Sequence, residues 1–233
     1  MTATLQTGTG EAKATTKVYP GRAAVISWIF FDWAAQPYFT LITTFVFAPY
    51  FASFVASDAA SGQALWGFAT AAAGLAIALL SPLLGAIADA SGRRKPWIAV
   101  FGALLVIGAS AMWIGKPGNP DIIPMLLLAY AIASVGVEFA TVFNNAMMPT
   151  LVPPDRIGRL SGTGWATGYI GGIVSLILVL GFLAANPDSG RTLFGLQPLF
   201  GLDPATHEPE RVVALLAAAI FAVGALPLFF FTP

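Results

Sequence analysis

The chain has no cysteine and a single histidine, His207, in 233 residues. A disulfide framework, a thiolate metal site and a cysteine nucleophile are therefore excluded, and so is a multi-histidine metal site. Charge is scarce as well. Asp, Glu, Lys and Arg make up 9% of the chain, against roughly 25% in an ordinary soluble domain. The 11 basic and 11 acidic groups cancel, so no net field recruits nucleic acid. There is no Gly-rich phosphate cradle beside a strand. No Gly-x-Ser-Gly sequence or membrane-embedded histidine supplies an intramembrane serine protease. Neither a cofactor nor an enzymatic activity is expected. What fills the chain is apolar: 57% hydrophobic residues, 18 of them Phe, with a mean hydropathy of +0.79. A globule of this size cannot hide that much apolar surface, so lipid is the expected solvent.

The charged positions divide the chain. Six charge-poor stretches remain between them: 23–57, 59–88, 96–115, 122–154, 160–187 and 212–233. Each is long enough for a bilayer-spanning helix, which needs about 20 apolar residues. Backbone groups in lipid must bond to one another, which selects helices. Strand alternation is absent, so an outer-membrane barrel is excluded. The expected fold is an all-α membrane protein, a bundle over 23–233 with transmembrane helices at about 23–55, 64–88, 97–115, 122–148, 161–184 and 212–231. Pro37, Pro49, Pro124 and Pro149 predict bent first and fourth helices. Residues 1–22 are polar, without an apolar signal core, and predict a cytoplasmic tail before a retained first span.

Loop charge sets the orientation. With the N-terminus cytoplasmic, Lys13, Lys17, Arg22, Arg93, Arg94, Lys95, Arg156 and Arg159 lie inside. Lys116, Arg191 and Arg211 lie outside. Trp66, Trp97 and Trp113 fall near expected helix ends and read as interfacial anchors. The loop 185–211 holds a tandem, Leu193–Pro198 followed by Leu199–Pro204, which reads as a local duplication at the membrane interface.

Two carboxyl groups fall inside spans. Asp32 follows Arg22 by ten residues, and Glu138 precedes Met148 by ten, which puts both roughly 15 Å from a cytoplasmic helix end. A central charge is costly and usually faces a cavity or a partner. At 100° per residue, Asp32, Gln36, Thr40 and Thr43 share an arc of about 80°, and Ser134, Glu138, Thr141 and Asn145 an arc of about 60°. The first and fourth helices thus read as walls of a polar pathway, and the third and sixth as outer supports. The competing reading makes Asp32 and Glu138 protonated structural residues, hydrogen-bonded between helices. Thr141, Asn144 and Asn145 fit a pathway or interhelical bonding equally well. On the fifth helix, Gly164, Gly168 and Gly172 predict close approach of another helix. Trp165, Thr167 and Tyr169 are candidates to face the pathway.

Between the second and third spans lies Gly85-Ala86-Ile87-Ala88-Asp89-Ala90-Ser91-Gly92-Arg93-Arg94-Lys95. Gly85 suits close helix approach and Gly92 a tight turn. This pattern resembles the signature loop of the major facilitator superfamily, with Ala90 where a basic residue is common. Ser27–Gln36 and Phe143–Pro149, continuing through Ile157-Gly158-Arg159 to Gly164-Trp165, narrow the resemblance to the vacuole-effluxer-like branch, related to autophagy-associated vacuolar amino-acid exporters. The resemblance covers roughly residues 22–233. It implies two six-helix bundles, each built of two inverted three-helix repeats, with alternating access to a midplane site. It also implies a conformational role for Gly85, Asp89, Gly92, Arg93 and Arg94.

Family members have about twelve helices and this chain has six. The expectation is therefore the N-terminal half of a secondary active transporter for a small polar solute, plausibly amino acids. A second six-helix half would come from another chain, a missing C-terminal half or a self-dimer. The alternative is a truncated or structural half without transport of its own. The expected location is a bacterial inner membrane.

Overall fold

The computed structural model describes residues 18–185 and 189–233, and the backbone alone of Asp89 and Ser91. The tail through Lys13 and Lys17, residues 186–187 of the fifth charge-poor stretch and the Asp89 side chain lie outside the described residues. Among those described there is no strand. Six helical spans are long and apolar enough to cross a membrane: α1 (Arg22–Val55), α2 (Ala59–Ala88), α3 (Lys95–Ile114), α4 (Pro120–Leu151), α5 (Pro154–Leu183) and α6 (Glu208–Phe231).

Local chemistry explains the ends and bends. Asp58 starts α2 by accepting from the Ser61 backbone N–H at 2.9 Å. That bond and one from the Ser61 hydroxyl hold the Asp58 carboxyl below its ordinary range. Gly92 ends the same helix at φ 63°, and its N–H bonds the Ala88 carbonyl at 3.1 Å. This is the tight turn expected there. Pro37 is followed by a wider π-type segment, Tyr38–Phe45, closed by a bond from Val46 N–H to Leu41 O at 3.1 Å. Proline lacks the N–H that a regular helix would use, and the widened turn absorbs the mismatch. Pro149 opens a new short turn after the break at Ala146–Met147. Pro124 differs from expectation. It sits in the first turn of the helix Ile123–Asn145, where a missing N–H costs nothing, so it starts the helix instead of bending it.

The spans pack in pairs: α1 with α2, α1 with α5, α2 with α4, α3 with α4, α4 with α5, α1 with α6, α3 with α6, and α1 with α4. Exchanging α1 with α4, α2 with α5 and α3 with α6 maps this list onto itself. Three spans also return the chain on the opposite side of a bilayer. The second repeat is thereby inverted relative to the first, as the fold class anticipated. Small residues make the closest joints. A Cβ on Gly136 would lie 2.5 Å from Leu105 N, and one on Gly108 would lie 2.6 Å from Ala129 O, so α3 and α4 meet backbone to backbone.

Several anchors differ from the sequence reading. Trp66 is buried against Phe47, Phe51 and Tyr130, with ring centroids 6.1, 5.3 and 4.0 Å away. It is a core residue, because the last part of α1, from Phe47 on, brings two aromatic rings over it. Arg211 is fully buried and is no free loop charge. Its Nε donates to the Trp113 carbonyl at 2.9 Å, Nη2 donates to the same oxygen, and the guanidinium lies 4.3 Å from the Trp113 ring centre. Unspent C-terminal carbonyls of α3 therefore hold the start of α6. At the other end, Lys95 Nζ donates to Phe229 O at 3.1 Å and Thr232 O at 2.5 Å. Lys95 at the start of α3 thus places its charge on the C-terminal carbonyls of α6. The tandem splits: Phe194 stacks edge-on to Phe182 at 5.3 Å, while Phe200 is 85% exposed.

Candidate functional site

A cavity of about 330 Å³ opens between three spans. From α1 come Asp32, Ala35, Gln36 and Phe39. From α4 come Glu138, Thr141 and Asn145, and from α5 Trp165, Gly168 and Tyr169. The arcs read from the sequence explain the gathering, since each helix turns one polar stripe inward. Thr43 lies instead in a neighbouring cavity of about 250 Å³, with Tyr38, Thr70, Ser134 and again Glu138. Thr43 lies two turns beyond Gln36 along α1, level with Ser134 on α4, and falls past the main cavity.

No Lys or Arg lines the main cavity. Asp32 and Glu138 are half-buried, and no hydrogen bond or ion pair holds their side chains among the described residues. The same holds for Gln36, Thr141 and Asn145. The polar groups face open space, in contrast to the interhelical bonding that the structural alternative requires. Such an unpaired set suits a cation, a proton or a polar solute with donor groups.

Around this cavity the braces are polar and local. Trp28 Nε1 donates to Asn144 O at 2.6 Å, tying α1 to α4. The Tyr38 and Ser134 hydroxyls meet at 2.8 Å. On α2 and α4, the Thr70 and Tyr130 hydroxyls meet at 2.9 Å. Asn144 itself is fully buried and does not line the cavity, and neither side-chain polar atom has a hydrogen-bond partner. Its neighbour Asn145 lies one residue, about 100°, further round the helix and reaches the cavity. The polar arc read from the sequence includes Asn145 and leaves Asn144 outside it, in line with this placement.

The glycine seam of α5 seats α1. A Cβ on Gly164 would lie 2.5 Å from Asp32 Oδ2 and 2.9 Å from the Trp28 ring. On Gly168 it would be 3.3 Å from Asp32 O, and on Gly171 2.5 Å from Trp33 O. Gly172 abuts Gln36 and Thr40. The seam thus sets where Asp32 sits. Ala35, Phe39 and Gly168 line the cavity without any sequence signal, because apolar and small residues carry no mark of a pathway. Trp165 and Tyr169 are 62% and 57% exposed, so the cavity's rim is open on the α5 side.

In the loop after α2, Gly92 makes the turn and Arg93 is exposed, while Arg94 is half-buried. Gly85 differs from expectation: a Cβ there would meet nothing within 4 Å. Among the described residues, no atom outside its own helix reaches that point. Only 11% of the apolar window of α2 is buried, the least of the six spans.

Fold and cavity together define an integral membrane protein, a six-helix bundle around an unpaired polar cavity. Over 155 residues the chain is 32% identical to YxiO, an uncharacterized MFS-type transporter of Bacillus subtilis (strain 168). The match takes in 65% of this chain and 36% of that protein, so the chain spans little more than a third of the relative's length. No family model matches the chain, and no solved structure matches it.

Proposed function

We propose that the chain forms the N-terminal half of a secondary active transporter of the major facilitator superfamily, in its vacuole-effluxer-like branch. It moves a small polar solute, plausibly amino acids, by alternating access, and proton coupling runs through the cavity carboxyls. The carrying observation is the cavity where Asp32 and Glu138 meet Gln36, Thr141 and Asn145 with no cation and no tethering bond. The similarity to an MFS-type transporter supports the superfamily. The basic residues at the Arg22, Arg94 and Arg159 end support a cytoplasmic N-terminus in a bacterial inner membrane. Bare α2, exposed Trp165 and Tyr169 and the open space beside Gly85 support a second six-helix half against that face.

The test is transport in proteoliposomes by the chain joined to or co-reconstituted with a second half. Glu138→Gln keeps the shape and removes the titration. It is expected to abolish pH-driven movement of the solute. Unchanged pH dependence would remove Glu138 from coupling. A second reading, favoured by the 36% span of the relative, is a half that is inert alone; an unstable monomer without transport supports it.

A further inference from the structure

A second groove, of about 430 Å³, lies between α1 and α5 at the end carrying Arg22. Its rim holds three guanidinium groups: Arg22 from the start of α1, and Arg156 and Arg159 from the start of α5. Its wall, one to two turns further in, is apolar and includes Val25, Ile26 and Ile29. Ile26 is 62% exposed.

The groove shares no lining residue with the polar cavity. At 100° per residue, Arg159 and Thr163 lie within about 40° of one another on α5 and point roughly 150° away from the mean direction of Trp165, Gly168 and Tyr169. On α1, Val25, Ile29 and Arg22 stay within about 80° of Asp32, so the groove lies along the α1–α5 seam toward the Arg22 end, with its α5 wall turned away from the cavity.

Charge at the rim is little compensated. Arg156 Nε has Asp155 Oδ2 at 4.0 Å, an exposed pair of chain neighbours of small strength. Arg22 and Arg159 form no ion pair among the described residues. Guanidinium groups bind phosphate oxygens in a planar, two-pronged fashion. Cations where two spans leave the bilayer, with an exposed apolar wall directly inward, match an amphiphile that is anionic at one end.

We propose that this groove seats one anionic phospholipid, its headgroup phosphate among Arg22, Arg156 and Arg159 and its first acyl carbons along Val25, Ile26 and Ile29. The proposal does not depend on transport.

The test uses the full chain in detergent micelles doped with phosphatidylglycerol or phosphatidylcholine, with retained lipid counted by native mass spectrometry. One phosphatidylglycerol per chain is expected, with phosphatidylcholine retained far less. Replacing Arg22, Arg156 and Arg159 by Gln, singly and together, is expected to weaken retention about fivefold per arginine. Arg93→Gln with Arg94→Gln, at the same end but outside the groove, leaves it unchanged. Equal loss in that pair would show diffuse attraction and overturn the site, as would equal retention of both lipids. Thermal protection by inorganic phosphate equal to that by phosphatidylglycerol would show a small-anion site and overturn the lipid assignment. The comparison of lipids on the native chain stands even if the triple variant fails to fold.

Discussion

Asp32 and Glu138 occupy corresponding helices of the two repeats, Asp32 ten residues after Arg22 and Glu138 ten residues before Met148, yet they are seated differently. Asp32 is wedged by its neighbour: a Cβ on Gly164 would lie 2.5 Å from Oδ2, and Gly168 abuts its backbone. Glu138 has no such wall. It lies between the main cavity and the smaller one beside Tyr38 and Ser134. The repeat thus conserves depth and the inward direction but not the packing behind each carboxyl. One is fixed in place by the fold, while the other has room to move and to meet water. The difference in seating is why the coupling test of the proposed function falls on Glu138.

The largest expected effect breaks the wedge. Gly164→Val places branched carbons where Asp32 and Trp28 stand, and α5 must part from α1. The cost is about 3 kcal/mol or more, at the high end for overpacking, read as a large drop in Tm in detergent. Gly162→Ala, one half-turn away, meets nothing within 4 Å and is expected to hold or slightly raise Tm, since alanine favours the helix. Equal losses for both would mean the seam is not where the helices touch.

A smaller effect tests the tie across to α4. Trp28→Phe keeps most of the ring and removes the bond to the Asn144 carbonyl. About 1 kcal/mol of stability is expected to go, measured by thermal or denaturant unfolding, with the cavity side of Glu138 unaffected. The smallest effect concerns the Asn144 side chain. Its buried amide has no partner, so Asn144→Leu is expected to leave stability unchanged or raise it by about 1 kcal/mol. A marked loss of stability would mean the amide is bonded after all. Loss of transport with stability kept would return Asn144 to the pathway.

The spans were legible in the chain because lipid enforces a simple rule: charges mark the ends and the apolar runs mark the helices. Asp32 and Glu138 were legible for the same reason, since a carboxyl mid-span has few other uses. Arg211 was misread by that rule. Its charge sits just inside α6, and only the folded chain shows the Trp113 carbonyl and ring that accept it. Trp66 was misread because its nearness to a helix end says nothing about which face meets Phe47 and Phe51. Thr43 and Ser134 share the arcs but lie further along their helices, in the smaller cavity, and an angular arc says nothing about depth. The arc on α4 marks Asn145 and not Asn144, but no spacing shows that Asn144 is fully buried with its amide unpartnered. The Arg22–Arg159 groove joins residues more than a hundred positions apart, which a charge count along the chain treats as one undivided patch.

The most direct measurement exploits the absence of cysteine. Single cysteines at Thr141, Asn145 and Asn144, each the sole thiol in the protein, are treated in membranes with a charged, membrane-impermeant thiol reagent. Thr141→Cys and Asn145→Cys are expected to label, because both positions face a water-accessible polar cavity, and Asn144→Cys is expected to stay unlabelled. Labelling of Asn144→Cys as fast as its neighbour, or none at the two cavity positions, would contradict the cavity between α1, α4 and α5.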